Sequence, residues 1–209
     1  MPECLKIART EFILGGQRSG KSRRAEALAQ RWLAESPLNR AVLIATAQPW
    51  DDEMRTRIAR HQTDRAERVP GMLTLEEPLA LGDALAQHSD PQTLVVVDCL
   101  TLWLTNFLMP HDGVEEQLEN PENSLEYQSN KPLALDSRAQ EAMLLIAIKQ
   151  AAGPVVLVGN EIGLGVIPMG HETRAFVDAL GWLNQSVAAV CERVTFMAAG
   201  LPLTLKGSP

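Results

Sequence analysis

Phe12-Ile13-Leu14-Gly15-Gly16-Gln17-Arg18-Ser19-Gly20-Lys21-Ser22 is a short apolar run that empties into a glycine-rich turn ending Gly-Lys-Ser. It fits G-x-x-x-x-G-K-[ST], the pattern of a phosphate-binding loop. Backbone N–H groups can wrap a phosphate only where side chains are absent or turned away, hence Gly15, Gly16 and Gly20. Lys21 is suited to neutralise β- and γ-phosphates, and the Ser22 hydroxyl to ligate Mg²⁺. The residues that follow, Arg23-Arg24-Ala25-Glu26-Ala27-Leu28-Ala29, have high helix propensity. Such a helix aims its positive N-terminal end at the same phosphates. A strand, this loop and a helix in that order predict a nucleotide site.

Apolar runs of strand length recur at 12–14, 41–45, 94–97 and 155–158, separated by helical patterns at 21–35, 51–62, 79–87, 135–151 and 173–192. Continuous Val/Ile/Leu runs without alternation predict strands buried on both faces, as in a parallel sheet covered by helices. The last helical pattern repeats apolar residues at Phe176, Leu180, Leu183 and Val187. Near the end, 194–198 and 201–205 flank Gly200 and read as a hairpin adding an antiparallel edge strand. Alternating strands and helices behind a phosphate loop predict an α/β nucleotide-binding domain. We read residues 1–209 as one such domain, with 1–11 an N-terminal extension. The stretch 110–132 is polar and carries Pro110, Pro121 and Pro132; it reads as a mobile insertion rather than a lid.

Composition narrows the classes. A chain of 209 residues can bury a full core, and a formal charge of −7 argues against nonspecific binding to nucleic acid or anionic membrane. No apolar run approaches the roughly 20 residues that span a bilayer. Residues 1–9 are too polar for a signal peptide. Cys4, Cys99 and Cys191 are widely spaced, which predicts idle thiols in a reducing cytoplasm rather than a disulfide framework or zinc site.

Three further stretches carry candidate chemistry. The run Thr93-Leu94-Val95-Val96-Val97-Asp98 delivers a carboxylate at a strand C-terminus, where phosphate-loop proteins hold Mg²⁺ directly or through water. The second is Asp51-Asp52-Glu53-Met54-Arg55-Thr56-Arg57-Ile58-Ala59-Arg60-His61-Gln62, which opens as a capped helix. On it Met54, Ile58 and His61 share a stripe, with Arg57 and Arg65 one turn either side of His61. Two readings stand open: a histidine satisfied at the end of a core stripe, or a nucleophile that attacks a nucleotide phosphorus while the arginines stabilise developing charge. The third is Val158-Gly159-Asn160-Glu161-Ile162-Gly163-Leu164-Gly165. It reads either as a substrate-facing loop beyond a strand C-terminus or as a plain strand-to-helix connection.

Together these pieces resemble the bifunctional adenosylcobinamide kinase/adenosylcobinamide-phosphate guanylyltransferase family of cobalamin biosynthesis. The resemblance runs from about Phe12 to Lys206, without 110–132. Its carriers are Gly15-Gly16-Gln17-Arg18-Ser19-Gly20-Lys21-Ser22, Ile44-Ala45-Thr46-Ala47, Asp51-Asp52-Glu53-Met54 and Arg57-Ile58-Ala59-Arg60-His61. Further carriers are Thr74-Leu75-Glu76-Glu77-Pro78-Leu79, Asp98-Cys99-Leu100-Thr101-Leu102-Trp103-Leu104-Thr105-Asn106, Asn160-Glu161-Ile162-Gly163-Leu164-Gly165 and Gly181-Trp182-Leu183-Asn184-Gln185. The resemblance implies a RecA-like sheet and two reactions. ATP or GTP phosphorylates the aminopropanol hydroxyl of adenosylcobinamide. GMP from GTP then passes to that phosphate through a GMP-histidine, matched here by His61. It implies nucleotide contacts at Gly15 to Ser22, at Ala45, Thr46 and Ala47, at Gln62, Thr63, Asp64 and Arg65, at Glu76 and at Asp98. Lys21 and His61 are then the catalytic pair, Ser22 and Asp98 the Mg²⁺ ligands, and the assembly a homotrimer.

Two positions depart from the family's pattern. Met72 stands where the family usually has Trp, and Met169-Gly170 stand where it tends to carry Glu-Asn. Two other readings fit the bare motifs: a different small-molecule P-loop kinase with a structural His61, and a nucleotide-gated regulatory protein without chemistry of its own.

Overall fold

The structure, a computed structural model, describes residues 6–109, 130–165 and 168–208, with the backbone alone for 130–136. Seven strands form one sheet: β1 (Thr10–Gly15), β2 (Arg40–Ala45), β3 (Leu73–Glu76), β4 (Thr93–Asp98), β5 (Val155–Val158), β6 (Arg193–Ala198) and β7 (Leu201–Lys206). Their order is β3-β2-β4-β5-β1-β6-β7. All neighbours are parallel except β6 and β7, so the expected antiparallel edge is present.

Six helices cover the sheet: α1 (Lys21–Glu35), α2 (Asp52–Arg68), α3 (Leu81–His88), α4 (Leu100–Leu108), α5 (Asn130–Gln150) and α6 (His171–Val190). Ala25, Leu28 and Ala29 of α1 pack on Ile13, Leu43, Val96 and Val156, one face of the sheet. The other face carries Phe12, Val95, Val97 and Leu157 against α3, α4, α5 and α6. Strands buried on both faces explain why their sequences run apolar without alternation.

Two elements gave no clear signal in the sequence. Strand β3 is short and largely exposed at the sheet edge, so it lacks the apolar run of its neighbours. Helix α4 buries Leu100, Thr101, Trp103, Leu104 and Phe107, but Leu102 and Leu108 fill in its other side, and so short and continuous an apolar run does not distinguish a helix from a strand. Several boundaries also move. Helix α2 continues to Arg68 and stops at Val69-Pro70-Gly71, where proline and a positive φ at Gly71 end it. Strand β1 begins at Thr10 rather than 12, because Thr10 and Glu11 pair with β5 and Glu11 also pairs with β6. Of the polar insertion expected at 110–132, residues 110–129 lie outside the described residues. Residues 130–132 open helix α5, whose first turn tolerates Pro132 because the N–H groups there have no helical acceptor. Residues 1–5 of the N-terminal extension also lie outside the description. Among the described residues, no helix is long and apolar enough to cross a membrane.

A buried ion network fastens α1 to the sheet. Glu11, fully buried on β1, accepts from Arg24 Nε at 2.9 Å, Arg193 Nη1 at 3.2 Å and Thr195 Oγ1 at 2.8 Å. One carboxylate thereby ties together β1, β6 and the helix that begins at the phosphate loop.

Candidate active site

The loop between β1 and α1 has the backbone its glycines predict. Gly15 adopts φ 152° and Gly20 φ 101°, conformations that side chains resist, and Arg18 sits at φ 57°. A Cβ on Gly15 would collide with the carbonyl oxygen of Met197 and with Ser19 Oγ, so the loop start admits only glycine. Gly16, Gln17 and Arg18 face solvent, whereas Ser19 is buried and its backbone carbonyl accepts from Gly200 N at 3.0 Å.

The two helices beside the site treat their N-termini in opposite ways. On α2, Asp51 Oδ1 accepts from Met54 N at 2.6 Å, and Asp52 and Glu53 fill the first turn. That end is neutralised from within. On α1 the cap is Gly20, with no side-chain cap and no acidic residue in the first turn. Its N–H groups and dipole are left for an anion. Lys21, mostly buried, donates from Nζ to Gly16 O at 2.6 Å. Burial lowers its pKa, and Arg57 lowers it further, against the opposing pull of Cys99 and Asp98.

Strand register levels the other groups. Ala45 pairs with both Glu76 and Asp98, and Asp98 with Val158. Residues paired across parallel strands share a face, so both carboxylates stand on the side that α1 covers. There a cavity of about 100 Å³ is lined by Ser22 of α1, Ala45 and Ala47 after β2, Thr74 and Glu76 of β3, and Asp98, Cys99 and Leu102. Its remaining wall is α2: Met54, Arg57, Ile58, His61, Gln62 and Arg65.

Helix α2 is a wall more than a packed element. Of its 17 residues only Arg65 is buried. Met54 and Ile58 are half-buried and His61 is exposed, so the stripe noted in the sequence lines a cavity and does not enter a core. Arg65 donates from Nη1 to Thr74 Oγ1 at 3.2 Å; burial lowers its pKa, with Asp98 and Glu26 opposing. Gln62 Nε2 donates to Glu76 Oε1 at 3.4 Å. Lys21 and Arg65 both feel the charge of Asp98, and Arg57 acts on Lys21 from the cavity wall.

The floor is stitched. Thr46, fully buried, donates from Oγ1 to Cys99 O at 2.7 Å and accepts from Cys99 N at 2.9 Å, while its own N–H bonds Asp98 O at 3.2 Å. Asn106 Nδ2 donates to Thr46 O and Pro78 O. Cys99 is buried, and desolvation with Asp98 nearby pushes its thiol up to about 11; Cys191, also buried, is pushed up to about 12. Both are free, while Cys4 lies outside the described residues.

The structure therefore brings Ser22, Ala45, Ala47, His61, Gln62, Arg65, Glu76 and Asp98 around one cavity. Thr46 does not line it, because its side chain is spent on the backbone behind. Thr63 and Asp64 do not line it either: Thr63 bonds Ala59 O in its own helix and Asp64 pairs with Arg68. Thr74, Cys99 and Leu102, which the sequence offers only as members of longer motif stretches and not as site residues, join the lining. Thr74 lies two residues before Glu76 on one strand, and that period-2 spacing was the available signal. Met72, at the position where the resemblance expects Trp, packs against the core under α1.

The loop after β5 forms a second arrangement. Glu161 N donates to Gly15 O at 3.2 Å, and Asn160 N to Thr101 Oγ1 at 2.9 Å. Glu161 Oε1 accepts from Gly163 N at 3.1 Å, and its Oε2 from Asn184 Nδ2 at 3.4 Å.

Comparison with known proteins gives one consistent picture. Residues 11–205 match the family described as cobinamide kinase / cobinamide phosphate guanyltransferase. Over 199 residues the chain is 46% identical to the bifunctional adenosylcobalamin biosynthesis protein CobP of Pseudomonas aeruginosa, covering 95% of this chain and 98% of that one. It is 32% identical over 195 residues to the bifunctional adenosylcobalamin biosynthesis protein CobU of Escherichia coli, covering 93% and 98%.

Proposed function

The chain belongs to the cobinamide kinase/cobinamide phosphate guanyltransferase family, and from that premise we propose how its residues divide the two reactions. It is a bifunctional enzyme of adenosylcobalamin biosynthesis, with kinase and guanylyltransferase activities. In the first step, ATP or GTP lies with its β- and γ-phosphates in the loop from Gly15 to Ser22. The hydroxyl of adenosylcobinamide attacks the γ-phosphorus, and Lys21 neutralises the charge spread over the phosphoryl oxygens.

In the second step a neutral His61 ring nitrogen attacks the α-phosphorus of GTP. A P–N bond forms and pyrophosphate leaves. An oxygen of adenosylcobinamide phosphate then attacks the same phosphorus, the P–N bond breaks, and adenosyl-GDP-cobinamide is released. Dividing one hard displacement into two suits a weakly nucleophilic phosphate acceptor. Arg57 and Arg65, one turn either side of His61, stabilise the charge on the oxygens around the pentavalent phosphorus. Ala45, Ala47, Gln62 and Glu76 contact the rest of the nucleotide.

Mg²⁺ fits the residues present. Ser22 and Asp98 supply two hard oxygen donors to the cavity, and among the described residues no cluster of three or more His, Cys, Asp or Glu forms a metal cage. Two protein oxygens completed by phosphates and water are what a Mg²⁺–nucleotide site uses. The ion, held by Ser22 and Asp98, would neutralise phosphate charge there. We further propose that one domain carries both steps in a cytoplasmic homotrimer without nucleic-acid partners, which sedimentation of the purified protein checks for its oligomeric part.

The observation that carries this reading is that His61 is exposed and lines the same cavity as Ser22 and Asp98. A histidine kept only for packing would be buried. The test is incubation with Mg²⁺ and GTP labelled at the α-phosphate, followed by denaturation. Acid-labile, alkali-stable label that disappears in a folded His61→Ala variant is the expected result. Absence of label from wild-type protein that still binds GTP would sink the covalent step.

A further inference from the structure

Glu161 plays no part in the cavity beneath α2, yet its backbone N–H is bonded to the residue that opens the phosphate loop. Because β5 lies beside β1 in the sheet, the residue leaving β5 meets the loop directly: Glu161 N donates to Gly15 O at 3.2 Å. Asp98 and Glu76 leave β4 and β3, farther from β1 in the strand order, and both line the cavity on the α2 side.

The carboxylate is also held in a fixed pose. Gly163 N donates to one oxygen and Asn184 Nδ2 to the other. Asn184 is buried, and the same Nδ2 donates to Asn160 O at 3.1 Å while its Oδ1 has no partner among the described residues. Turning that amide over would set its carbonyl against the Asn160 carbonyl and the Glu161 carboxylate, two acceptor–acceptor clashes. The amide therefore serves the loop at the expense of its own oxygen. Beyond Glu161 the loop opens to solvent, with Ile162 and Leu164 exposed, so a bulky acceptor can approach with apolar support.

We propose that Glu161 is the general base of the kinase step, and that Asn184 positions it. The role rests on the kinase reaction set out above. A carboxylate oxygen of Glu161 takes the proton of the acceptor hydroxyl as that oxygen bonds to the γ-phosphorus. The bond from the γ-phosphorus to the bridging oxygen breaks, the nucleoside diphosphate leaves, and Glu161 returns the proton to water. Guanylyl transfer needs no such base, because its acceptor, a phosphate monoester, is already ionised.

This difference gives the test. The Glu161→Gln variant keeps the size of the side chain and removes its basicity. With ATP and adenosylcobinamide, its kcat for phosphoryl transfer is expected to fall about 10²–10⁴-fold, with KM for the acceptor changed only a few-fold. With GTP and supplied adenosylcobinamide phosphate, its guanylyl transfer is expected to stay near wild type, which also shows that the variant folds. Equal loss of both activities would make Glu161 structural and overturn the proposal, as would an unchanged kcat or a change confined to KM. A wild-type enzyme that transfers GMP but phosphorylates nothing would instead fell the kinase step itself, and this role with it.

Discussion

Lys21 shows how much one side chain can be made to do by its surroundings. The loop motif made it legible, since spacing alone places a lysine at the start of a helix behind a glycine turn. What the motif could not show is that the group is mostly buried beside Arg57, which together lower its pKa from the ordinary 10.5. Affinity for a nucleoside triphosphate is therefore expected to weaken with rising pH sooner than an exposed lysine would dictate. The sign follows from charge: below its folded pKa the ammonium is present to meet phosphate, and above it the charge is gone. Titrating binding from pH 7 to 10, with Lys21→Ala as control, checks this, and the alanine variant should lose about 10²–10³-fold in kinase turnover. Other residues misled. Thr46 stands in a motif beside Ala45 and Ala47, but its side chain faces away into backbone. Met54 and Ile58 carry the spacing of a core stripe, and spacing does not distinguish a core from the wall of a cavity.

At the scale of elements, the legible parts were those whose physics is local. Helix α1 follows from propensity and β1, β4 and β5 from apolar runs bounded by turns. Strand β3 was not legible because an edge strand borrows its order from β2 through Val42, Leu43, Ile44 and Ala45, and a sequence does not display its neighbours. The stitch between the ends of β2 and β4 is equally non-local, joining residues 53 positions apart. Replacing Thr46 by Val preserves shape and removes the hydroxyl, leaving the Cys99 N–H and carbonyl without it in a buried place. About 2–4 kcal/mol of stability should be lost, read from denaturant unfolding. A variant as stable as wild type would mean that the two strand ends are held by the sheet alone.

Across the whole molecule, stability is unevenly shared. The sheet is clad on both faces, and Glu11 bolts α1 to it through Arg24 while Arg193 of β6 pairs with the same carboxylate. Helix α2 has no comparable attachment: it presents one buried residue, hydrogen bonds from Arg65 to Thr74 and from Gln62 to Glu76, and an ion pair from Arg68 to Glu26. Backbone amides exchange with solvent through openings whose free energy follows such anchoring. In deuterated buffer the amides of β1, β4 and β5 should persist longest, and those of α2 should be lost well before them. Equal protection would contradict the account of α2 as a wall. The consequence reaches past stability. A segment that opens on its own, while the rest stays shut, gives the proposed nucleophile His61 a clock separate from the fold that carries it.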